Sequence, residues 1–305
     1  MRLVFAGTPA VAVPALRLLA ERHEVVAVLT RRDAELGRKR VLTPSPVAAA
    51  ADELGIETIK ANRLDETVTE RIRSLAPDLG VIVAYGGLVR EPLLSTPRLG
   101  WVNLHFSLLP AWRGAAPVQH AVIAGDEVTG AAVFQLVPEL DAGDVFSELT
   151  RAIGADETAG DVLGALSLSG AELLADTVDA LADGTAASAS QTGAVTLAPK
   201  LSLADAHLDF HQPAAAVYAR QRGVTPEPGA FALLGDDRFK VLAARPAPDA
   251  DELAPGAVAL QGKRVVVGTG THPLELVTVQ PAGKKAMAAA DWWRGLSAAN
   301  GVVLR

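Results

Sequence analysis

The chain has 305 residues, no cysteine, 50% apolar side chains and a formal net charge of −7. That length accommodates about two domains of roughly 100–200 residues each. The missing cysteines exclude disulfides, thiolate chemistry and Cys-based zinc sites, and the acidic balance argues against a bulk nucleic-acid binder. The charge is uneven. Residues 1–204 carry 17 basic and 25 acidic residues, and residues 205–305 carry 11 and 10. Arg31, Arg32, Arg38, Lys39 and Arg40 share one short window, which reads equally as a solvated loop or as a local footprint for an anionic partner.

In chain order, RLVFA reads as a strand, VAVPALRLLAER as a helix and EVVAVLT as a strand. Gly7, Thr8, Pro9 and Pro14 break the first apolar run, which favours a strand over a leader peptide. No run reaches the ~18 apolar residues of a membrane span, so a cytoplasmic location with no membrane contact is expected. A polar, basic stretch RRDAELGRKRVLTPSP follows, then a helix over 47–54, a strand IETIK, a helix DETVTERIRSLA and a strand LGVIVAY. WVNLHF is the next strand and AAPVQHAVIAG a helix. TGAAVFQLV and DVFSELTRAI are two further strands, and a long helix runs over 158–181. The alternation implies an α/β fold with a doubly wound, mainly parallel sheet over residues 1–183. Residues 184–204 are rich in Ala, Ser, Thr and Gly and read as a linker. Over 205–305, short segments such as AFALLG, RFKVLAARP, GAVALQG, KRVVVGTG and PLELVTVQP imply a small antiparallel β domain or barrel.

The candidate site lies in VNLHFSLLPAWRGAAP. Strand alternation puts Val102, Leu104 and Phe106 on one face and Asn103, His105 and Ser107 on the other. The polar set emerges near the carboxyl end of the strand, where open α/β sheets place ligands. Asn103 offers an amide donor for a developing oxyanion, and His105 can move a proton near neutral pH. Alone, His105 reads more readily as a satisfied structural histidine; the Asn–x–His spacing shifts that balance towards function. Asp141, in ELDAGD after another strand, is the candidate third group; its alternative is an Asx turn before Gly143. Burial beside that carboxylate is expected to keep the imidazolium populated. AGTP at 6–9 follows the first strand but lacks both phosphate-loop glycine patterns, which disfavours a dinucleotide-dependent dehydrogenase. No metal-ligand spacing occurs, so no metal is expected.

The N-x-H-x-S-L-L-P run with D-x-G downstream resembles the folate-dependent formyltransferases. NLHFSLLPAWRGAAPVQ, ELDAGD, FAGTPAVAVPAL, LTPSPV and VQPAGKKAM match most closely the members that act on initiator methionyl-tRNA, over nearly the whole chain. The resemblance implies a Rossmann-like N-terminal domain and a C-terminal OB-like antiparallel β-barrel that binds tRNA. It implies formyl transfer from 10-formyltetrahydrofolate to the α-amino group of methionine on the tRNA, with no obligate protein partner. Asn103, His105 and Asp141 take the catalytic positions. Ser107, Leu108, Leu109 and Pro110, with Gly87, Leu88 and Val89, take folate-binding positions. The loop over about 31–46 takes the tRNA-contacting position, with Arg38, Lys39 and Arg40 as phosphate contacts. Phe106 stands where the family often has glycine; alternation turns it away from Asn103 and His105. Transfer to an amino sugar nucleotide or purine precursor, hydrolysis of formyl-folate, and non-catalytic RNA or folate binding are the rival readings.

Overall fold

The computed structural model describes residues 1–37, 40–296 and 301–305. The chain forms two compact units: Met1–Ala115 with Thr129–Arg151 and Leu163–Ala198, and Ala116–Val128 with Ala152–Val162 and Pro199–Arg305. Among the described residues no helix is long and apolar enough to cross a membrane.

The elements run β1 (Arg2–Gly7), α1 (Val13–Arg22), β2 (Glu24–Thr30), β3 (Ala34–Leu36), β4 (Val41–Thr43), α2 (Pro46–Glu53), β5 (Thr58–Lys60), α3 (Glu66–Ser74), β6 (Leu79–Val83), β7 (Trp101–His105), β8 (Arg113–Gly114), α4 (Pro117–Ala124), β9 (Val128–Gln135), β10 (Val145–Ala152), α5 (Ala159–Asp183) and β11 (Leu197–Ala198). The main sheet has the order β10-β9-β7-β6-β1-β2-β5. The strands from β5 to β7 pair in parallel, and β9 joins β7 antiparallel. Strand order therefore grows outward in both directions from β1, as a Rossmann-like doubly wound sheet requires. The all-buried LGVIV of β6 suits a strand covered on both faces. Helix starts follow local chemistry. Ser45 caps α2, its Oγ accepting from the Ala48 N–H at 3.0 Å with Pro46 at the first turn. Asp65 does the same for α3.

Two readings of the first unit needed more than residue pattern. The basic stretch is not all loop: β3 and β4 pair antiparallel around Gly37, whose φ is +71°. LGVIVAY leaves the sheet after Val83 because Ala84 takes φ +49°. Residues 189–198, rich in small polar side chains, lie along the unit. Val145 and Ala189 bridge, and β11 pairs with β8.

The second unit contains α4, α6 (Ala214–Gly223), β12 (Phe231–Leu234), β13 (Asp237–Pro246), β14 (Val258–Gln261), β15 (Arg264–Val267), β16 (Leu274–Gln280), β17 (Met287–Ala288) and α7 (Ala289–Arg294). Its antiparallel sheet, β12-β13-β16-β15-β14 with β17 on β16, is a curled half-barrel. Register shifts between Val241 and Ala244 give β13 the bend. Phe239 and Trp292 meet at 4.5 Å between ring centres in its core. Helix α6 was not legible as a break in the β pattern. Gly223 lets it approach α4, since a Cβ there would stand 2.4 Å from Ile123.

The start of β7 rests on Gly80. A Cβ at Gly80 would stand 2.1 Å from the indole of Trp101, which is fully buried and donates to the Leu93 carbonyl at 2.9 Å. Gly80→Ala is expected to destabilise the protein by about 1–3 kcal/mol through overpacking, read as a lower urea midpoint at unchanged slope.

Candidate active site

Strand β7 holds Asn103 and His105 in register against Phe134 and Ala132 of β9. The opposite face packs on α5: a Cβ on Gly170 would lie 3.2 Å from Leu104 and 3.6 Å from Phe106. Phe106 thus faces the helix, as alternation requires, and its size does not intrude on the polar face. Asn103 is half-buried. Its side-chain amide has no hydrogen-bond partner among the described residues, so both its donors are available to a ligand.

His105 is 6% exposed. Its Nε2 lies 2.9 Å from the Trp112 carbonyl oxygen, which can only accept, so Nε2 carries the proton. Phe134 meets the ring edge-on at 6.3 Å. Nδ1 faces Asp141 Oδ2 at 3.8 Å, beyond hydrogen-bond reach. Burial, the largest influence, pushes the imidazole below its ordinary pKa; the Asp141 charge and the Trp112 carbonyl act in the opposite direction without overcoming it. The expectation of a populated imidazolium is therefore corrected. Burial favours the neutral ring, whose Nδ1 faces the carboxylate.

Asp141 owes its place to an unusual backbone. Its φ is +46°, a left-handed conformation that Asp tolerates better than most residues. Its Oδ2 accepts from the Gly114 N–H at 2.7 Å, and its carbonyl accepts from Gln191 Nε2 at 2.8 Å. Gly143 lets this loop lie on the end of β9, because a Cβ there would stand 1.7 Å from the Gln135 carbonyl oxygen. The D-x-G spacing thus makes a turn and delivers a carboxylate at once. Trp112, φ +59°, turns its carbonyl onto His105 by the same kind of backbone.

The other sequence-derived positions divide by exposure. Ser107 is 1% exposed and its hydroxyl donates to the Ala111 carbonyl at 2.6 Å. Leu109 packs with Ala132 and Phe134, and Leu108 fills the space left by Gly130, where a Cβ would stand 2.6 Å away. Pro110 is buried, and its carbonyl accepts from the Thr196 N–H at 3.4 Å. These side chains build the turn. In the other loop Val89 is buried, whereas Leu88 is 67% exposed. Gly87 sits over Tyr85 where a Cβ would meet the ring at 2.5 Å. The neighbouring Gly86 carbonyl accepts from Arg31, whose guanidinium lies 5.8 Å from the Tyr85 ring centre. Arg40 is highly exposed and 3.7 Å from Glu35; Arg38 and Lys39 lie outside the described residues. Sequence reasoning missed Gln191, the Trp112 carbonyl and the Gly114 N–H. Backbone groups carry no residue signature, and Gln191 sits in a stretch without periodicity.

An amide donor, a buried imidazole and a carboxylate at the carboxyl ends of a Rossmann-like sheet are groups that an enzyme of the group-transfer class would need. Residues 1–178 match the formyl transferase family model, and residues 200–297 match that of the formyl transferase C-terminal domain. The chain is 71% identical over 295 residues to methionyl-tRNA formyltransferase of Leifsonia xyli subsp. xyli, covering 97% of each chain. An N-formyltransferase of Helicobacter canadensis, solved with folinic acid and dTDP-3-aminofucose, matches with a TM-score of 0.70 at 14% identity, covering 92% of this chain and 98% of that one. HypX of Aquifex aeolicus in complex with tetrahydrofolic acid matches with a TM-score of 0.64 at 16% identity; this chain spans 47% of its length, with 96% of this chain covered. Those two likenesses establish the fold. The chain belongs to the methionyl-tRNA formyltransferase family.

Asp141→Asn keeps an acceptor for the Gly114 N–H but removes the charge that raises His105. The imidazole is therefore expected to titrate still further below its ordinary value, checked by an NMR titration of the His105 ring in both proteins; an upward move would contradict the assignment.

Proposed function

We propose that the chain transfers the formyl group of 10-formyltetrahydrofolate to the α-amino group of methionine on initiator methionyl-tRNA. The observation that carries this reading is His105 Nδ1 standing 3.8 Å from Asp141 Oδ2, two residues along β7 from Asn103, in a chain 71% identical to a relative named for that activity. The reading divides the chain into a catalytic domain over 1–183, a linker over 184–204 and a tRNA-binding OB-like domain over 205–305. It needs no metal, membrane or protein partner, and it locates the reaction in the cytoplasm.

The chemistry follows from the residues. The methionyl amine attacks the formyl carbon on N10 of the folate, and the carbonyl electrons move onto oxygen. The free amide of Asn103 donates to that oxyanion. Neutral His105 accepts the amine proton at Nδ1, and Asp141, 3.8 Å away, stabilises the imidazolium formed. The C–N10 bond then breaks, N10 takes the proton held by the His105 imidazolium, the ring returns to neutral, and tetrahydrofolate leaves. The turn Ser107–Pro110 and the Gly87–Val89 loop hold the folate, with exposed Leu88 against its ring. Both reactants held in place account for much of the rate. Arg38, Lys39 and Arg40 supply positive charge to tRNA phosphates, a contact that weakens with salt.

Formyl transfer to charged initiator tRNA tests the reading. Asn103→Ala is expected to lose about 10²–10³-fold in kcat and His105→Ala about 10²–10⁴-fold. Neutralising Arg38, Lys39 and Arg40 is expected to raise KM for tRNA and flatten its salt dependence. Formate release by the wild type without transfer to the amine would instead assign water as acceptor.

A further inference from the structure

Residues 189–198 are laid against both partners of His105. The Thr196 hydroxyl accepts from the Trp112 N–H at 2.8 Å, and the Thr196 carbonyl accepts from the Arg113 N–H at 2.9 Å. Gln191 makes the denser set. Its Nε2 donates to the carbonyls of Asp141 and Gly143, both at 2.8 Å, and its Oε1 accepts from Arg113 Nη2 at 2.6 Å and Nε at 3.2 Å. One amide thus ties the Asp141 loop to the segment that follows Trp112. Both segments are in conformations that need support, since Asp141 and Trp112 each have positive φ. Among the described residues the carboxylate has one hydrogen-bond donor, the Gly114 N–H.

We propose that Gln191 is a positioning residue of the transfer centre, acting through Asp141. Its two donors clamp the carbonyls on either side of Ala142 and hold the left-handed turn that aims Oδ2 at His105. Its acceptor locks Arg113, next to the Gly114 N–H that Oδ2 engages. The amide is the one uncharged group of this length that can do both, because the carbonyls need donors and the guanidinium needs an acceptor. A glutamate at 191 would keep Arg113 and turn a charge onto the two carbonyls. A leucine would lose both contacts.

This inference rests on the formyl-transfer reading, and wild-type activity separates the two: a wild type without formyl transfer defeats the reading, whereas the inference is decided by its variants. The experiment measures kcat, KM for both substrates, thermal midpoint and the His105 titration in wild type, Gln191→Glu, Gln191→Leu and Ser190→Ala. Ser190 binds Asp144 at 2.9 Å on the same segment and serves as the neighbouring control. Both Gln191 variants are expected to lose at least tenfold in kcat with each KM within about threefold, and to move the His105 titration downward as Asp141 drifts away. Ser190→Ala is expected to match wild type in kcat and titration. Full kcat in Gln191→Glu with loss in Gln191→Leu would show that only the Arg113 contact matters and overturn the proposal. So would a lower thermal midpoint with unchanged kcat and titration, or an equal kcat loss in Ser190→Ala. If Gln191→Leu fails to fold, the Gln191→Glu protein decides alone by the same two readouts.

Discussion

The candidate site is built around one buried imidazole, His105. His105 is nearly sealed from solvent, gives its only proton to a backbone carbonyl and leaves Nδ1 as a lone pair beside a carboxylate. A charged histidine would be costly in that place, and the proposed transfer uses the ring as a base. In the proposed transfer the same burial makes the charge gained by the ring matter, because Asp141 would then stabilise an imidazolium at short range in a medium of low polarity. Asn103 adds a side-chain amide that no other described residue engages.

Much of the surrounding structure serves that geometry. The Gly80–Trp101 contact and the parallel pairing with β6 seat β7, and Gly170 admits Leu104 and Phe106 beneath α5. Gly143 admits the Asp141 loop onto β9, and two non-glycine residues hold left-handed backbone to bring a carbonyl and a carboxylate onto one ring. Such strain persists where neighbouring contacts over-determine it, and the segment 189–198 supplies those contacts from far along the chain.

The fold was legible where residue type and period agree. The apolar runs of β1, β2 and β6 and the alternation of β7 reveal a parallel sheet, and the turn-separated short segments after residue 230 reveal an antiparallel one. Asn103, His105 and Asp141 stand out in the sequence because an amide, an imidazole and a carboxylate are rare together at strand ends and their spacing matches a known family, and the structure brings Asp141 to 3.8 Å from His105. The hairpin of β3 and β4, helix α6 and the course of residues 189–198 were not. Their contacts are tertiary, and Ala, Ser and Gly carry little pattern of their own. The charge state of His105 was misread for the same reason. Sequence shows the neighbouring carboxylate but not the degree of burial, and here burial is the larger influence.

The most direct measurement is the ¹⁵N NMR spectrum of the His105 ring in the wild-type protein at neutral pH, assigned by its loss in a His105→Asn variant. The account predicts a neutral ring protonated at Nε2 with Nδ1 bare. An imidazolium, or a ring protonated at Nδ1, would contradict it.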